Sequence, residues 1–251
     1  MSVSGERFSH VLPAAKVGEP RAEVARSRWT VWLVVVAPVI LYTLILRGLL
    51  SLQRTLALSR TFHLDLRGMT ALFLGEILLT ELLVGEALLL YLGFTHQSLA
   101  DIGLARLPTR SGFLVGVLLA LAYAGLTLMN PAIGPHATEV SLFKLWGVIV
   151  GVVGGAIEEC VFRGLVMNEL QQARVPVVLQ VITSAATFAL IHGFSSFIGL
   201  IFPFVLGLAL SGVYLLSRRS LISVIASHGL INILIEPWLM LWFVSGFMPA
   251  S

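Results

Sequence analysis

Residues 175–217 form a run of 43 residues without a single Asp, Glu, Lys or Arg. A helix that crosses a bilayer takes about 20 mostly apolar residues, so this run is long enough for two crossings with a turn near residues 193–197. Across all 251 residues, 12% are charged and 57% are hydrophobic, and an ordinary soluble domain carries about twice that charge. The chain is therefore predicted to be a polytopic membrane protein. A soluble enzyme, a nucleic-acid-binding protein and a disordered chain are excluded.

The other apolar runs complete a helical bundle. They predict spans at 29–46, within 69–94, and at 112–129, 143–166 and 221–235, with a short further segment at 238–248. The predicted fold class is all-α, a polytopic transmembrane bundle of seven or eight helices. Whether the last segment crosses stays open, because it is short for a span. The chain divides into a polar segment at 1–28 and a transmembrane domain at 29–251.

The distribution of Lys and Arg predicts the orientation. Cytoplasmic loops of membrane proteins collect these residues, which also accounts for the net charge of +3 without a nucleic-acid partner. With the N-terminus inside, ten basic residues fall inside and five fall outside. The inner set is Arg7, Lys16, Arg21, Arg26, Arg28, Arg106, Arg110, Arg174, Arg218 and Arg219, and the outer set is Arg47, Arg54, Arg60, Arg67 and Lys144. We expect an integral protein of the plasma (inner) membrane, in contact with lipid, with a cytoplasmic N-terminus.

Several acidic residues and histidines lie inside the predicted spans, where a charge at mid-membrane costs on the order of 2.5–3.5 kcal/mol. Residues placed at that cost are candidates for function, facing a cavity or a partner. They are Glu76, Glu81, Glu86, Glu158, Glu159, His192 and His228. The three glutamates of the second span recur every five residues, which makes no single stripe along a helix, so they are not expected to line one pore together.

The fourth span contains Glu158, Glu159 and Arg163. Glu159 and Arg163 are four residues apart, share a helix face and can form an ion pair that offsets the desolvation of both. A pair that only fixes helix packing is the plainer interpretation. Glu158 is rotated about 100° away and has no partner nearby in the sequence. It is therefore left free for other chemistry.

Small residues precede these charges at Gly147, Gly151 and Gly155. Such a ridge lets a second helix approach closely, which would hold the carboxylates in fixed positions. Cys160 is the only cysteine, so an internal disulfide is excluded. It projects about 200° from Glu158 on an α-helix, and a buried small hydrophobe is a better description of it than a nucleophile.

Two further helices each present a pair of polar or aromatic residues on one face. Phe188 and His192 are four apart, so the ring can shield or orient the imidazole, and His228 and Asn232 are also four apart. For a single intramembrane histidine, a hydrogen bond to a neighbouring carbonyl is an equally good explanation. Together with Glu158, the residues supply a base, a proton-active imidazole and donors for an oxyanion.

Three motifs in this order resemble the CPBP family. These are intramembrane proteases related to type II CAAX prenyl endopeptidases and to bacterial bacteriocin-processing and immunity (Abi) proteins. The motifs are Glu-Glu-x-x-x-Arg at 158–163, Phe-x-x-x-His at 188–192 and His-x-x-x-Asn at 228–232, and none departs from the pattern. The resemblance covers about residues 143–235.

By that resemblance, Glu158 and His192 activate a water, His228 and Asn232 bind the oxyanion, and Glu159, Arg163 and Phe188 are supporting residues. The substrate would be a peptide or protein, lipidated in the case of CAAX proteins, cut near the membrane surface from a cavity open to the cytoplasm. A zinc ion held by Glu158, His192 and His228 is an open alternative to metal-free chemistry. The local spacing gives zinc no support, because a His-Glu-x-x-His motif is missing.

Two other functions stay open. Intramembrane Glu and His also form proton relays, which favours a proton- or ion-coupled transporter, and a non-catalytic immunity or scaffold protein would retain the fold. A depth count raises a separate difficulty: with the spans as predicted, His192 lies about 10 Å deeper than Glu158 and His228. The helix of His192 must therefore begin deeper than Val175, or these residues do not meet.

Overall fold

The computed structural model describes residues 28–131, 133–136, 138–192 and 197–245, and in this part of the chain the helices are joined by turns and loops, with no strand. The predicted all-α bundle is thus confirmed. Its eight main helices are α1 Arg28–Thr55, α2 Leu66–Phe94, α3 Arg110–Leu128, α4 Leu142–Gln172, α5 Val177–His192, α6 Phe197–Leu216, α7 Leu221–Ile235 and α8 Trp238–Ser245. A short helical turn at Leu58–Thr61 and a 3₁₀ turn at Gly134–His136 lie between them.

Four helices, α1 to α4, are long and apolar enough to cross a membrane, and α7 with α8 makes a fifth candidate if the bent pair is one span. The helices α5 and α6 are apolar but shorter. Large apolar side chains face outward along these helices. Examples are Leu33 and Leu44 of α1, Leu118 of α3 and Val178 of α5, each more than 60% exposed. In water such a surface would be unstable, and in lipid it needs no protein partner.

Helix α1 begins before residue 29 and continues to Thr55, nine residues past the predicted end at 46. The prediction stopped at Arg47 because that residue is charged, but an arginine near a helix end can extend its head group to the membrane surface. The last segment is a separate helix bent by 63° from α7. Residues 1–27, the turn at 193–196 and residues 246–248 of the last predicted segment lie outside the described part.

Helix α4 continues to Gln172, six residues beyond the predicted end at 166. Its segment Cys160–Val166 is a π-helix, a wider turn that recurs at functional sites. Because of the extension, Glu158 lies 14 residues before the end of α4 at Gln172, and His192 lies 15 residues after the start of α5 at Val177. The depth difficulty came from ending α4 too early.

Helix α7 starts deep in the bundle, under the loop that joins α2 to α3. The amide of Leu221 donates to the carbonyl of Gly103, whose φ of 111° favours glycine. A Cβ at Gly103 would also lie 2.4 Å from the carbonyl oxygen of Arg219. The side chain of Leu221 contacts Gly164, six residues past Glu158, so the seven residues from Leu221 to His228 bring the imidazole back to the depth of Glu158.

The predicted glycine ridge of α4 receives α7. An added Cβ at Gly147 would lie 2.5 Å from Pro237, one at Gly151 would lie 2.8 Å from Cβ of Asn232, and one at Gly155 would lie 3.3 Å from the ring of His228. At Gly147 and Gly151 these distances are too short for a Cβ without a shift of the facing segment, and at Gly155 the neighbours would have to move by a few tenths of an ångström. The separation between α4 and the facing segment is therefore set by contacts of the glycine backbone of α4 with the side chains of that segment.

Candidate active site

The three motifs meet at a cavity of about 730 Å³ in the middle of the bundle. Its wall is mostly apolar, with a small number of polar side chains contributed by α1 to α5 and α7. Those polar groups include Tyr42, Glu81, Glu158, His192, His228, Asn232 and Glu236. A largely apolar cavity with a few convergent polar groups is the usual form of a site for a small molecule or a peptide segment.

Glu158 lies between the two motif histidines. Its Oε1 is 3.6 Å from Nε2 of His192, and its Oε2 is 3.7 Å from Nε2 of His228. The other ring nitrogen of His192, Nδ1, lies 2.9 Å from the carbonyl oxygen of Phe188. A carbonyl only accepts, so Nδ1 carries the proton and Nε2 of the neutral ring is an acceptor that faces the carboxylate.

His228 is held from behind by Glu159. Its Nδ1 lies 2.9 Å from Oε1 of Glu159, which is also 2.9 Å from a guanidinium nitrogen of Arg163. Glu159 and Arg163 are fully buried, with 0% of either side chain exposed. The predicted ion pair is present and extends to a third residue on another helix.

Arg163 has further contacts that keep it buried. It donates to the carbonyl of Gly207 on α6 at 3.1 Å, and its guanidinium lies 4.5 Å from the centre of the Phe188 ring. The same ring lies 4.5 Å from His192 and 5.9 Å from His228. Phe188 thus separates the buried cation from the cavity and packs against both imidazoles.

Asn232 lies one turn beyond His228 on the cavity side of α7. Its amide nitrogen donates to the carbonyl of Gly151 at 2.6 Å. A carboxamide has two N–H donors, so this bond fixes the group and leaves a second donor. Asn232 therefore joins the motif residues at the cavity, as the spacing predicted.

No group of three His, Cys, Asp or Glu side chains in the described ranges is arranged to hold a metal ion. In the zinc alternative, Glu158, His192 and His228 would be the ligands. Each of the two Nε2 atoms faces its own oxygen of Glu158 at more than 3.5 Å, and Nδ1 of His228 is engaged by Glu159. These distances do not decide between the two alternatives, and the zinc site stays a prediction.

Two residues that line the cavity were not predicted from the three motifs, namely Tyr42 on α1 and Glu81 on α2. The hydroxyl of Tyr42 donates to Oε2 of Glu81, and both side chains are nearly fully buried. Both line the cavity together with Glu158. The sequence did give one sign of Glu81, namely an acidic residue within a span.

The other glutamates of α2 are placed differently, in agreement with the spacing argument. Glu76 is buried and Glu86 is exposed, and neither lines the cavity as far as the described residues show. Cys160 packs against the buried cluster that contains Phe162 and Phe188 and is likewise not part of that lining. The thiol is therefore a poor candidate for a nucleophile.

The cavity extends toward one face of the bundle, where α3 ends, and its wall there includes Asn130, Ile133 and Trp242. Helix α1 begins at the opposite face. A cytoplasmic N-terminus and a cavity that opens to the cytoplasm were both expected from the sequence. Both stay predictions.

Residues 140–234 match the family model described as type II CAAX prenyl endopeptidase Rce1-like. This segment is similar to that family. It contains all three motifs, and the match confirms the resemblance inferred from them. It supports an intramembrane protease of the CAAX type in general, and it leaves α1 to α3 outside the matched region. No curated protein and no solved structure matches the chain.

Proposed function

We propose that this protein is an intramembrane endopeptidase that hydrolyses a peptide bond near a membrane surface. A water activated by Glu158 and His192 would attack the scissile carbonyl, and His228 and Asn232 would bind the oxyanion. The observation that carries the proposal is the convergence of Glu158, His192 and His228 at one cavity. The Rce1-like match of residues 140–234 gives the same reaction class independently.

The position of the water is inferred from two acceptor atoms that face each other, one on Glu158 and one on His192. Oε1 of Glu158 and Nε2 of neutral His192 both accept, and a separation of 3.6 Å is too long for a hydrogen bond even if one of them were protonated. A single water can donate one proton to each of them while its oxygen lone pair faces the cavity. Either acceptor can then take the proton as the oxygen attacks, as in general base catalysis.

The oxyanion site follows from the bonds behind His228 and Asn232. Because Nδ1 of His228 faces the Glu159 carboxylate, Nδ1 carries a proton, and only the imidazolium form also has a proton on Nε2. In that form Nε2–H and the second N–H of Asn232 are two donors for developing negative charge. Donors fixed in a site with little water contribute strongly to such stabilisation.

Glu159 and Arg163 would support this chemistry without touching the substrate. Glu159 holds the imidazolium of His228, and Arg163 donates to the same carboxylate oxygen and fixes its position. Phe188 provides the carbonyl that orients His192 and the ring that packs against both imidazoles. The substrate would be a peptide or protein segment, lipidated or not, since the apolar wall accepts either.

The direct test is cleavage of peptide substrates by the purified, reconstituted protein. We expect Glu158→Ala and His192→Ala each to lower kcat/KM roughly 10²–10⁴-fold, as for loss of a general base. Glu86→Gln is the matched control, because Glu86 is an intramembrane glutamate on an exposed face. Full activity in Glu158→Ala would refute the proposal, and biological activity retained by Glu158→Gln would favour the non-catalytic role.

A further inference from the structure

Glu236 extends the polar face of α7 by one turn beyond the motif residues. His228, Asn232 and Glu236 are spaced four apart, and the backbone amide of Glu236 donates to the carbonyl of Asn232, so the three side chains share one face. All three line the cavity. Glu236 belongs to none of the motifs, and neither the proposed water nor the proposed oxyanion site requires it.

The carboxyl of Glu236 is buried and has binding capacity that the chain does not use. The residue is 8% exposed, and its Oε2 has no hydrogen-bond partner in the described part of the chain. The ammonium of Lys144 lies nearby, but it donates to the backbone carbonyls of Leu234 and Glu236 at the end of α7. An ionised carboxylate in an apolar wall costs free energy until a cation or a donor reaches it. A cationic ligand would therefore gain a strong partner here.

The charges around the cavity favour the same kind of ligand. The described side chains that line it include three glutamates and two histidines, and neither a lysine nor an arginine. Glu158 faces the two histidines, and Glu81 accepts from Tyr42. Among these three carboxyls, Glu236 is the one whose partner must come from the ligand. A wall that is rich in carboxyls attracts a cationic group and disfavours an anionic one.

Glu236 lies between the proposed catalytic residues and the face toward which the cavity extends. Its Cγ is 3.1 Å from the position of a Cβ at Gly151, which is seven residues, or about 10 Å, before Glu158 along α4. Helix α4 begins on the side where α3 ends, so Gly151 is nearer to that face than Glu158 is. An extended peptide advances about 3.3 Å per residue. About three residues therefore separate a scissile bond at Glu158 from a side chain at Glu236.

We propose that Glu236 is a specificity-determining residue that binds a lysine or arginine side chain of the peptide substrate, about three residues from the scissile bond. Apolar residues of the cavity wall, among them Ile235 and Leu239, suit the methylene stem of such a side chain, and the carboxylate binds its cationic tip. This rests on the proposed endopeptidase activity and names a substrate class for it.

The experiment uses peptides that are identical except at one position, which carries lysine, glutamine or glutamate. That position is moved through four residues on either side of the scissile bond, and cleavage by the reconstituted full chain is measured. At one position, about three residues away, we expect wild type to have a kcat/KM about 10- to 100-fold higher for lysine than for glutamine, as for a hydrogen bond to a charged group. The glutamate peptide should be cleaved most slowly.

Two variants with the same substitution locate the preference. Glu236→Gln keeps the shape and removes the charge, so the ratio of kcat/KM for lysine to that for glutamine should fall to about one. Glu76→Gln is the matched control. Glu76 is also 8% exposed with one unpartnered oxygen, but it lies outside the described lining of the cavity. It should retain the wild-type ratio.

Equal cleavage of the lysine and glutamine peptides by wild type at every position would overturn the inference and leave the endopeptidase proposal intact. A lysine preference that survives in Glu236→Gln would overturn it as well. If Glu236→Gln does not fold, Glu236→Asp decides: it keeps the charge on a shorter side chain and should lower the preference several-fold, and an unchanged preference would contradict the inference.

A binding measurement separates this inference from the reaction. If wild type cleaves none of the peptides, the endopeptidase proposal fails, and fluorescence anisotropy of the labelled peptides still tests Glu236. Tighter binding of a lysine peptide than of its glutamine counterpart in wild type, together with equal binding in Glu236→Gln, would support the subsite. Equal binding of the two peptides by wild type would refute it.

Discussion

The helices that carry the motifs and the three helices before them are similarly apolar, yet their polar residues are used differently. In α4, α5 and α7, each charged motif residue contacts a residue of another helix, as Glu159 contacts His228 and Arg163 contacts Gly207. In α2, Glu76 is buried with one oxygen that has no hydrogen-bond partner among the described residues, and Glu86 is exposed. A polar residue within a span is therefore informative mainly when a second helix supplies its partner.

Matched substitutions in the two halves test this contrast. For each residue type that matters in the motif half, the first half supplies one in a different environment: His96 for His228, Arg67 for Arg163 and Gly125 for Gly155. If the site depends on contacts between the motif helices, the residue in the motif half should be far more sensitive to replacement than its counterpart in the first half.

The largest difference is expected for histidine. Replacing His228 with alanine removes one oxyanion donor and should lower kcat roughly 10²–10³-fold. Replacing His96, which is exposed in the loop after α2, should leave kcat unchanged. Peptide cleavage by the two reconstituted variants provides the measurement, and equal rates would argue against an oxyanion role for His228.

The next-largest difference is expected in protein stability when the two arginines are replaced. Arg163→Met leaves Glu159 fully buried with one cationic partner removed, and breaking a buried pair in this way costs about 3–5 kcal/mol. Arg67 pairs with Glu139 at the surface, where its side chain is 45% exposed, and exposed ion pairs contribute little. Thermal unfolding in detergent should show a large drop in Tm for Arg163→Met and almost none for Arg67→Met. Similar shifts would mean that the buried network has no special role.

A smaller effect is expected for glycine. A Cβ at Gly155 would lie 3.2 Å from Nδ2 of Asn232 and 3.3 Å from Cγ of His228, so both must shift by a few tenths of an ångström. Because a displacement of 1 Å can cost about 10²-fold, we expect Gly155→Ala to lower kcat by roughly tenfold or less. Gly125 has nothing within 4 Å of its added Cβ, so Gly125→Ala should keep full activity. Unchanged kcat in both would show that the close packing tolerates movement.

The smallest effect is expected for the stability contributed by the surface ion pair of Arg67 and Glu139, and this effect depends on pH. The hydrogen bond from Arg67 holds the pKa of the Glu139 carboxyl below its usual range. A carboxyl with a lowered pKa in the folded state stabilises the protein above its unfolded-state pKa, and this stabilisation is lost as pH falls through the folded-state pKa. Glu139→Gln should therefore have a slightly lower Tm than wild type at neutral pH, and the difference should vanish in acid. A difference that persists or grows in acid would contradict this linkage.

Much of the fold could be predicted because a membrane-spanning helix needs a long apolar run, and such runs can be located directly in the sequence. The predicted span at 221–235 agrees with α7 at both ends, since Ser220 and the Glu236-Pro237 pair delimit it. The predicted end of α4 at residue 166 was wrong. The segment from Met167 to Gln172 contains several polar residues, and polar residues at a membrane surface do not end a helix. Composition could not indicate the π-helical turn at Cys160–Val166 either.

The site was predictable where its residues lie close in sequence and not where they depend on packing between distant helices. The contact of Glu159 with Arg163 follows from helical geometry. That His228 also contacts Glu159, 69 residues away, required three helices to pack at one depth. The hydrogen bond from Tyr42 to Glu81, 39 residues apart, depends on how α1 and α2 lie against each other, and no local spacing encodes that arrangement.

The glycine ridge of α4 has a consequence for how a substrate enters. With Gly147 packed on Pro237, and Gly151 and Gly155 packed on α7, the separation of Glu158 from His228 and Asn232 is preset. If the site is proteolytic as proposed, a peptide that wedged between α4 and α7 would displace the residues it must reach. The proposal therefore places peptide entry elsewhere, on the side of the cavity wall that includes Phe73 of α2 and Trp242 and Phe243 of α8.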